Sequence, residues 1–274
     1  MTNLIRSDAR RVLKDKLFLV ACIIGAAFAV LMPLLYQLIF SGMEDFYDDM
    51  LSSLVSAKGQ FFSAFSPGNN FGLIVPVLLA IILCKDFSFG TVRNKIISGN
   101  RRSSIFLSLF TVCFIFLWGI ILSYALVTLG MCLLFFDYQA TPFEFADFLY
   151  LLESIGFALL LYLFIAAFIS WLCASMKNVG LVIVVYVAVV MVMTIIAMIL
   201  QISISVLEYD PGKEKTVEVL TFFLRINVFN SAASIGAGTA YAAEDVLYLT
   251  LPALIGAGGL LSLGLLKFKR KDLK

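Results

Sequence analysis

Residues 103–136 read SSIFLSLFTVCFIFLWGIILSYALVTLGMCLLFF, without a single Asp, Glu, Lys or Arg. A helix needs about 20 mostly apolar residues to cross the hydrocarbon of a bilayer, so this run can span and still tilt or extend beyond the core. A helix apolar on every side has no stable place in water. In lipid, backbone polar groups must be satisfied within the segment itself, which favours helices. This stretch therefore sets the expected fold class: all-α and polytopic in a membrane.

Five further runs lack charge: Leu17–Met43, Gly59–Cys84, Ser154–Met176, Asn178–Leu207 and Val246–Leu266. Six spans are expected, at about residues 17–40, 67–86, 105–136, 154–176, 179–207 and 246–266, with an outer segment over 208–245. The second is the weakest, because its dense apolar part is only Phe71–Cys84. Composition agrees: 62% hydrophobic and 14% charged, with mean hydropathy +1.02. Soluble domains carry about 25% charged residues. The whole chain reads as a single transmembrane domain. Met1–Lys16 is polar and basic and the run after it is too long for a secretory leader, so the first span is expected to persist in the mature protein.

The net charge of +2 hides a strong segregation. Sixteen of the 20 Lys and Arg fall before span one, between spans two and three, at Lys177, or after span six. Fourteen of the 18 acids fall in the alternate loops, among them Glu44, Asp147, Glu218, Glu244 and Asp245. The positive-inside rule then puts both termini in the cytoplasm, and an even number of crossings agrees with their lying on one side. The expected location is the plasma membrane of a bacterial cell. The basic residues are accounted for by topology and lipid, and no nucleic-acid partner is expected.

Before the first span, Leu4, Ile5, Ala9, Val12 and Leu13 recur at helical spacing with Arg6, Arg10 and Lys14 on another face. This pattern predicts an amphipathic helix over 1–16 lying in the cytoplasmic interface. Pro33 and Pro76 fall inside spans one and two. Ala21, Gly25 and Ala29, and again Gly258 and Ser262, have the small-xxx-small spacing of close helix contacts. In the outer segment, Val217–Leu224 is too short to span and reads as a re-entrant or interfacial element.

The chemistry that is missing narrows the function. The chain has no His and no CxxC, so a zinc site is not expected. It has no GxxxxGK[ST] phosphate loop, no HExxH and no GxSxG, so it is not read as an enzyme and carries no cofactor of its own. The spans hold no ionisable residue near their centres, which argues against ion-coupled transport. A channel or a secondary transporter without a partner remains the alternative, because sodium sites can use backbone carbonyls alone. Vectorial work would need energy delivered from outside this chain.

The segment suited to receive it joins spans two and three: Asp86-Phe87-Ser88-Phe89-Gly90-Thr91-Val92-Arg93-Asn94-Lys95-Ile96-Ile97-Ser98-Gly99. Thr91–Ser98 can make about two helical turns, with Gly99 as a stop. Val92 and Ile96 share a face, with Arg93 and Ile97 beside it. A basic loop that only sets topology fits the same composition.

This run resembles the cytoplasmic segment of ABC transporter permeases of the type-2 exporter family, where an acid is followed by Gly-Thr and a basic residue directly after the second span. Asp86 stands where members commonly carry Glu. The layout of the whole chain is similar too, and Leu224–Phe229 resembles an Asn-x-Phe element of that family. The resemblance implies a coupling helix docking on a separate ATPase subunit, which would hold ATP and Mg. Asp86, Phe89, Gly90, Thr91, Val92, Arg93, Lys95, Ile96 and Ile97 would form that interface. Val92, Ile96 and Ile97 would fill the partner's groove, and Arg93 and Lys95 would meet acids at its rim. It further implies a second permease subunit, identical or related, and export of an amphiphilic substrate such as an antimicrobial peptide or antibiotic.

Overall fold

The computed structural model describes residues 2–40, 57–68, 70–88, 91–135, 143–176, 178–210, 212–236 and 241–270. Among these every regular element is a helix: α1 (Thr2–Leu13), α2 (Lys16–Phe40), α3 (Ala57–Ser63), α4 (Asn70–Ser88), α5 (Thr91–Ile97), α6 (Arg102–Phe135), α7 (Phe145–Ser175), α8 (Val179–Leu207), α9 (Glu214–Ile226), α10 (Val228–Ser234) and α11 (Ala243–Arg270). The expected all-α, multi-pass membrane architecture is borne out at this level.

Among the described residues, five helices are long and apolar enough to cross a bilayer: α2, α6, α7, α8 and α11. The sixth expected span falls short. The charge-free run Gly59–Cys84 is not one helix, because α3 stops at Ser63 and α4 begins only at Asn70. After α3 the chain makes turns through residues 64–68, with Gly68 N–H donating to Ser66 Oγ. A sixth crossing is reached only if residues 74–86 and 91–97, bent by 47° from each other, are counted together.

The helices are ordered around a central pair. In α6 and α7, 61% and 72% of the most apolar stretch is buried, against 22% or less in α2, α8 and α11, so the last three form the outer layer. The outer helices α2 and α11 pack on α6 and α7 respectively, and α4 lies against both central helices and α8. Ala21, Gly25 and Ala29 are buried, so the small-residue ladder of α2 is a contact face as expected.

The ladder expected in α11 lies on the wrong side. Gly258 and Ser262 are exposed, and Ser262 Oγ simply donates back to the Gly258 carbonyl. The packed face carries Ala253, Ala257, Gly264 and Phe268. These positions repeat at four and seven residues, and they let α11 approach rings of the central helices. A methyl on Gly264 would come 2.7 Å from a Phe106 ring carbon.

Two ends of the bundle can be told apart by their side chains. At one, Arg102 donates to the Lys269 carbonyl at 2.8 Å and the Phe106 and Phe268 rings lie 5.9 Å apart. At the other, Lys58 pairs with Asp147 at 2.7 Å and the Ser154 and Tyr241 hydroxyls meet at 3.0 Å. Here α3 is wedged in place: Ser66 Oγ donates to the Ala232 carbonyl at 2.6 Å, and Gly236 crosses the α3 backbone. Gly236 has φ +78°, and a Cβ there would sit 2.4 Å from the Phe62 carbonyl oxygen, so only glycine fits.

Candidate functional site

The connection between α4 and α6 is built around α5, a seven-residue helix. Its end is set by local chemistry. Gly99 adopts φ +86°, Asn100 N–H donates to the Lys95 carbonyl at 3.2 Å, and Gly99 N–H donates to the Ile96 carbonyl at 2.9 Å. This pair of bonds around a left-handed glycine is a Schellman cap. Asn100 Nδ2 adds a further bond to the Lys95 carbonyl at 3.1 Å.

The side chains of α5 divide into two sets. Val92 is 1% exposed and belongs to the chain's own apolar core, and Ile96 is half-buried against it. Lys95 turns inward to Asp8 Oδ1 at 2.5 Å. Arg93, Asn94 and Ile97 face outward, with Ile97 74% exposed. The expectation that Val92 and Lys95 meet a partner is thereby narrowed: both are engaged within this chain, and the free face is Arg93, Asn94 and Ile97, beside a half-buried Thr91. Phe89 and Gly90, also expected in the interface, lie outside the described residues.

Beneath α5 sits a buried ionic cluster that joins four helices. Asp86, at the end of α4, is 4% exposed and ion-paired to Arg11 of α1. Asp8 of α1 is 1% exposed, accepts from Lys95 and from Ser108 Oγ of α6 at 2.8 Å, and has Arg11 Nη2 at 4.0 Å. Two carboxylates and two cations thus cancel. A buried ion needs a partner because desolvation costs several kcal/mol, and each of these four has one. Burial pulls the Lys95 ammonium below its ordinary pKa, and the hydrogen bond and charge of Asp8 oppose that shift.

A second tie lies alongside. Asp15 caps α2, accepting from the Leu17 N–H at 3.0 Å, and also faces Lys85 at 3.5 Å. The apolar stripe of α1 is used in the same way: Val12 packs with Ile82 of α4 and Val112 of α6, with Ile5 and Ala9 against them. The stripe predicted for a lipid interface therefore meets protein on at least one side.

Neither a family model nor a curated protein matches this chain.

The cluster ties α5 to α1, and α1 in turn to the end of α4 and the start of α6. Asp8 and Arg11 were absent from the expected site. One signal for Asp8 was present: it sits four residues from both Leu4 and Val12, so an acid occupies a position in the apolar stripe.

Proposed function

We propose that this chain is the membrane-spanning subunit of an ATP-driven exporter, of the kind that its α4–α6 connection resembles. The reading has six spans, α4 serving as the second, and α1 lying along the cytoplasmic surface with both termini on that side. Two such subunits, identical or related, pair above two separate ATPase subunits that bind ATP and Mg. The chain itself does no hydrolysis. Closure of the ATPases drives α5 toward the membrane, and the helices tied to it move an amphiphilic substrate outward.

The observation that supports this most is the division of α5: one face held to α1 by the buried Lys95–Asp8 pair, which Ser108 of α6 joins by a hydrogen bond, the other exposing Arg93, Asn94 and Ile97 with no ion pair among the described residues. A loop that served topology alone would have no need of a capped helix or a buried cluster behind it.

The test is purification of the tagged full chain from its native membranes in mild detergent. A soluble ATPase in stoichiometric amount, with ATP hydrolysis in the eluate, is expected. Ile97→Asp combined with Arg93→Glu should remove the ATPase and leave membrane insertion intact. Solute movement by the purified chain alone, driven by an ion gradient or by none, would favour the channel or secondary-transporter reading and overturn this one.

A further inference from the structure

At the opposite end from α5, helices α9 and α11 enclose a laterally open groove of about 960 Å3. Its walls are apolar and exposed: Phe222 and Ile226 from α9, Leu251 and Ile255 from α11. The volume is within the range that holds small ligands. Its polar end is acidic, with Glu218 and Glu244 both on the lining. Arg225, which shares a neighbouring pocket with Glu218 and Glu244, is already engaged. It pairs with Glu244 at 3.2 Å, approaches Asp245 at 4.0 Å and lies over the Tyr248 ring at 5.4 Å. Among the described residues Glu218 has no ion pair. Two acids, Glu218 and Glu244, therefore lie on the lining of the apolar trough, beside an arginine that Glu244 and Asp245 already hold.

We infer that this groove binds a cationic amphiphile, an amine-bearing alkyl chain, with its ammonium at Glu218 and Glu244 and its tail along Leu251 and Ile255. The dimensions suit a single chain. Glu244 to Ile255 covers about 16 Å of helix at 1.5 Å per residue, roughly the reach of a dozen methylenes. Charge selects among occupants. An anionic amphiphile would meet Glu218 without a counter-ion. A second copy packed across the groove by a twofold axis would gather its own acids at one interface. The tail gains little by leaving lipid for an apolar wall, so affinity and selectivity come from the charged end. As a binding site the groove stands on its own; as the place where exported cargo sits, it rests on the reading given above.

The test uses the full chain in phosphatidylcholine nanodiscs and a dodecylammonium bearing a diazirine on its chain. Saturable photolabelling of α9 and α11 peptides is expected, displaced by plain dodecylammonium and at least tenfold less well by dodecanoate. Glu218→Gln should weaken labelling about tenfold. Ile255→Trp should abolish it by filling the trough, and Glu218→Lys should invert the preference toward dodecanoate. Equal labelling by ammonium and carboxylate, indifference to all three substitutions, or an interchain disulfide through Ile255→Cys would each overturn the inference. No ATPase takes part, so failure of the export reading would leave this result unchanged.

Discussion

Replacing Asp8 with Asn removes one charge from the buried cluster and almost no volume. Asp8 is 1% exposed, and its carboxylate is shared between Lys95, at 2.5 Å, and Ser108, at 2.8 Å. The amide can still accept from Ser108, but Lys95 loses its counter-ion while its side chain stays only 13% exposed. Breaking a buried pair from one side costs about 3–5 kcal/mol. Arg11 is 35% exposed and can lean toward solvent, so the lower end of that range, about 3 kcal/mol, is expected here. Lys95→Met in the Asp8→Asn background removes the orphaned ammonium and should restore at least half of the loss, giving a coupling of about 1–2 kcal/mol. The pH response has a defined sign. Burial already holds the folded-state pKa of Lys95 below 10.5, and losing Asp8 lowers it further. Between that lowered value and 10.5 the unfolded chain holds a proton that the folded variant has shed, so Asp8→Asn should gain stability as pH rises through this window. The assay is titration of detergent-solubilised protein with SDS, followed by helical circular dichroism, alongside reactivity of Lys95 toward an amine reagent. An Asp8→Asn variant within about 0.5 kcal/mol of the parent, with additive single effects, would refute the cluster as a lock.

Other expectations follow from single contacts. Ile97→Asp should leave the SDS midpoint unchanged, because Ile97 is 74% exposed, yet abolish ATPase association. Val92→Asp should lower the midpoint itself, at a loss of about 3 kcal/mol or more in unfolding free energy, because Val92 is buried at 1%. Cys84 and Cys173 bring their sulfurs to 2.8 Å across α4 and α7, so a membrane-permeant diazene oxidant should join them. The readout is protection of both from alkylation with reversal by dithiothreitol; thiols that remain alkylatable in the oxidised native protein would contradict the packing. Gly236→Ala combines a left-handed backbone with a carbonyl in the way, and should cost about 2 kcal/mol or more by the same titration.

Much of the fold was legible because hydropathy and charge speak to different physics and agree. Residues 103–136 announced α6 to within a residue or so at each end, since nothing charged interrupts them. The second span, expected at about 67–86, overlaps α4 (Asn70–Ser88) but is not confirmed as a crossing by itself, for a local reason. Absence of charge over Gly59–Cys84 says nothing about continuity, and the turn through Ser66, Pro67 and Gly68 divides it. Gly258 and Ser262 were misplaced because spacing alone cannot choose among faces of a helix that is apolar all round. In the site, Gly99 as the stop of α5 was readable from its type. The direction in which Lys95 points was not, because it depends on Asp8, 87 residues away. A basic residue in a basic loop gives no hint that one acid on a distant helix has claimed it.

The order of the helices has a consequence for biosynthesis. The most enclosed of the described long helices, α7, is covered along one side by α11, which is synthesised after every other described helix. Until Ala253, Ala257 and Gly264 arrive, that flank of α7, with Phe164 beside Gly256, must wait in lipid or against an insertase. The chain is therefore vulnerable to quality-control proteolysis until Ala243–Arg270 has been synthesised, and a nascent chain stalled before Ala243 would be recognised as unfinished however well its first helices had inserted.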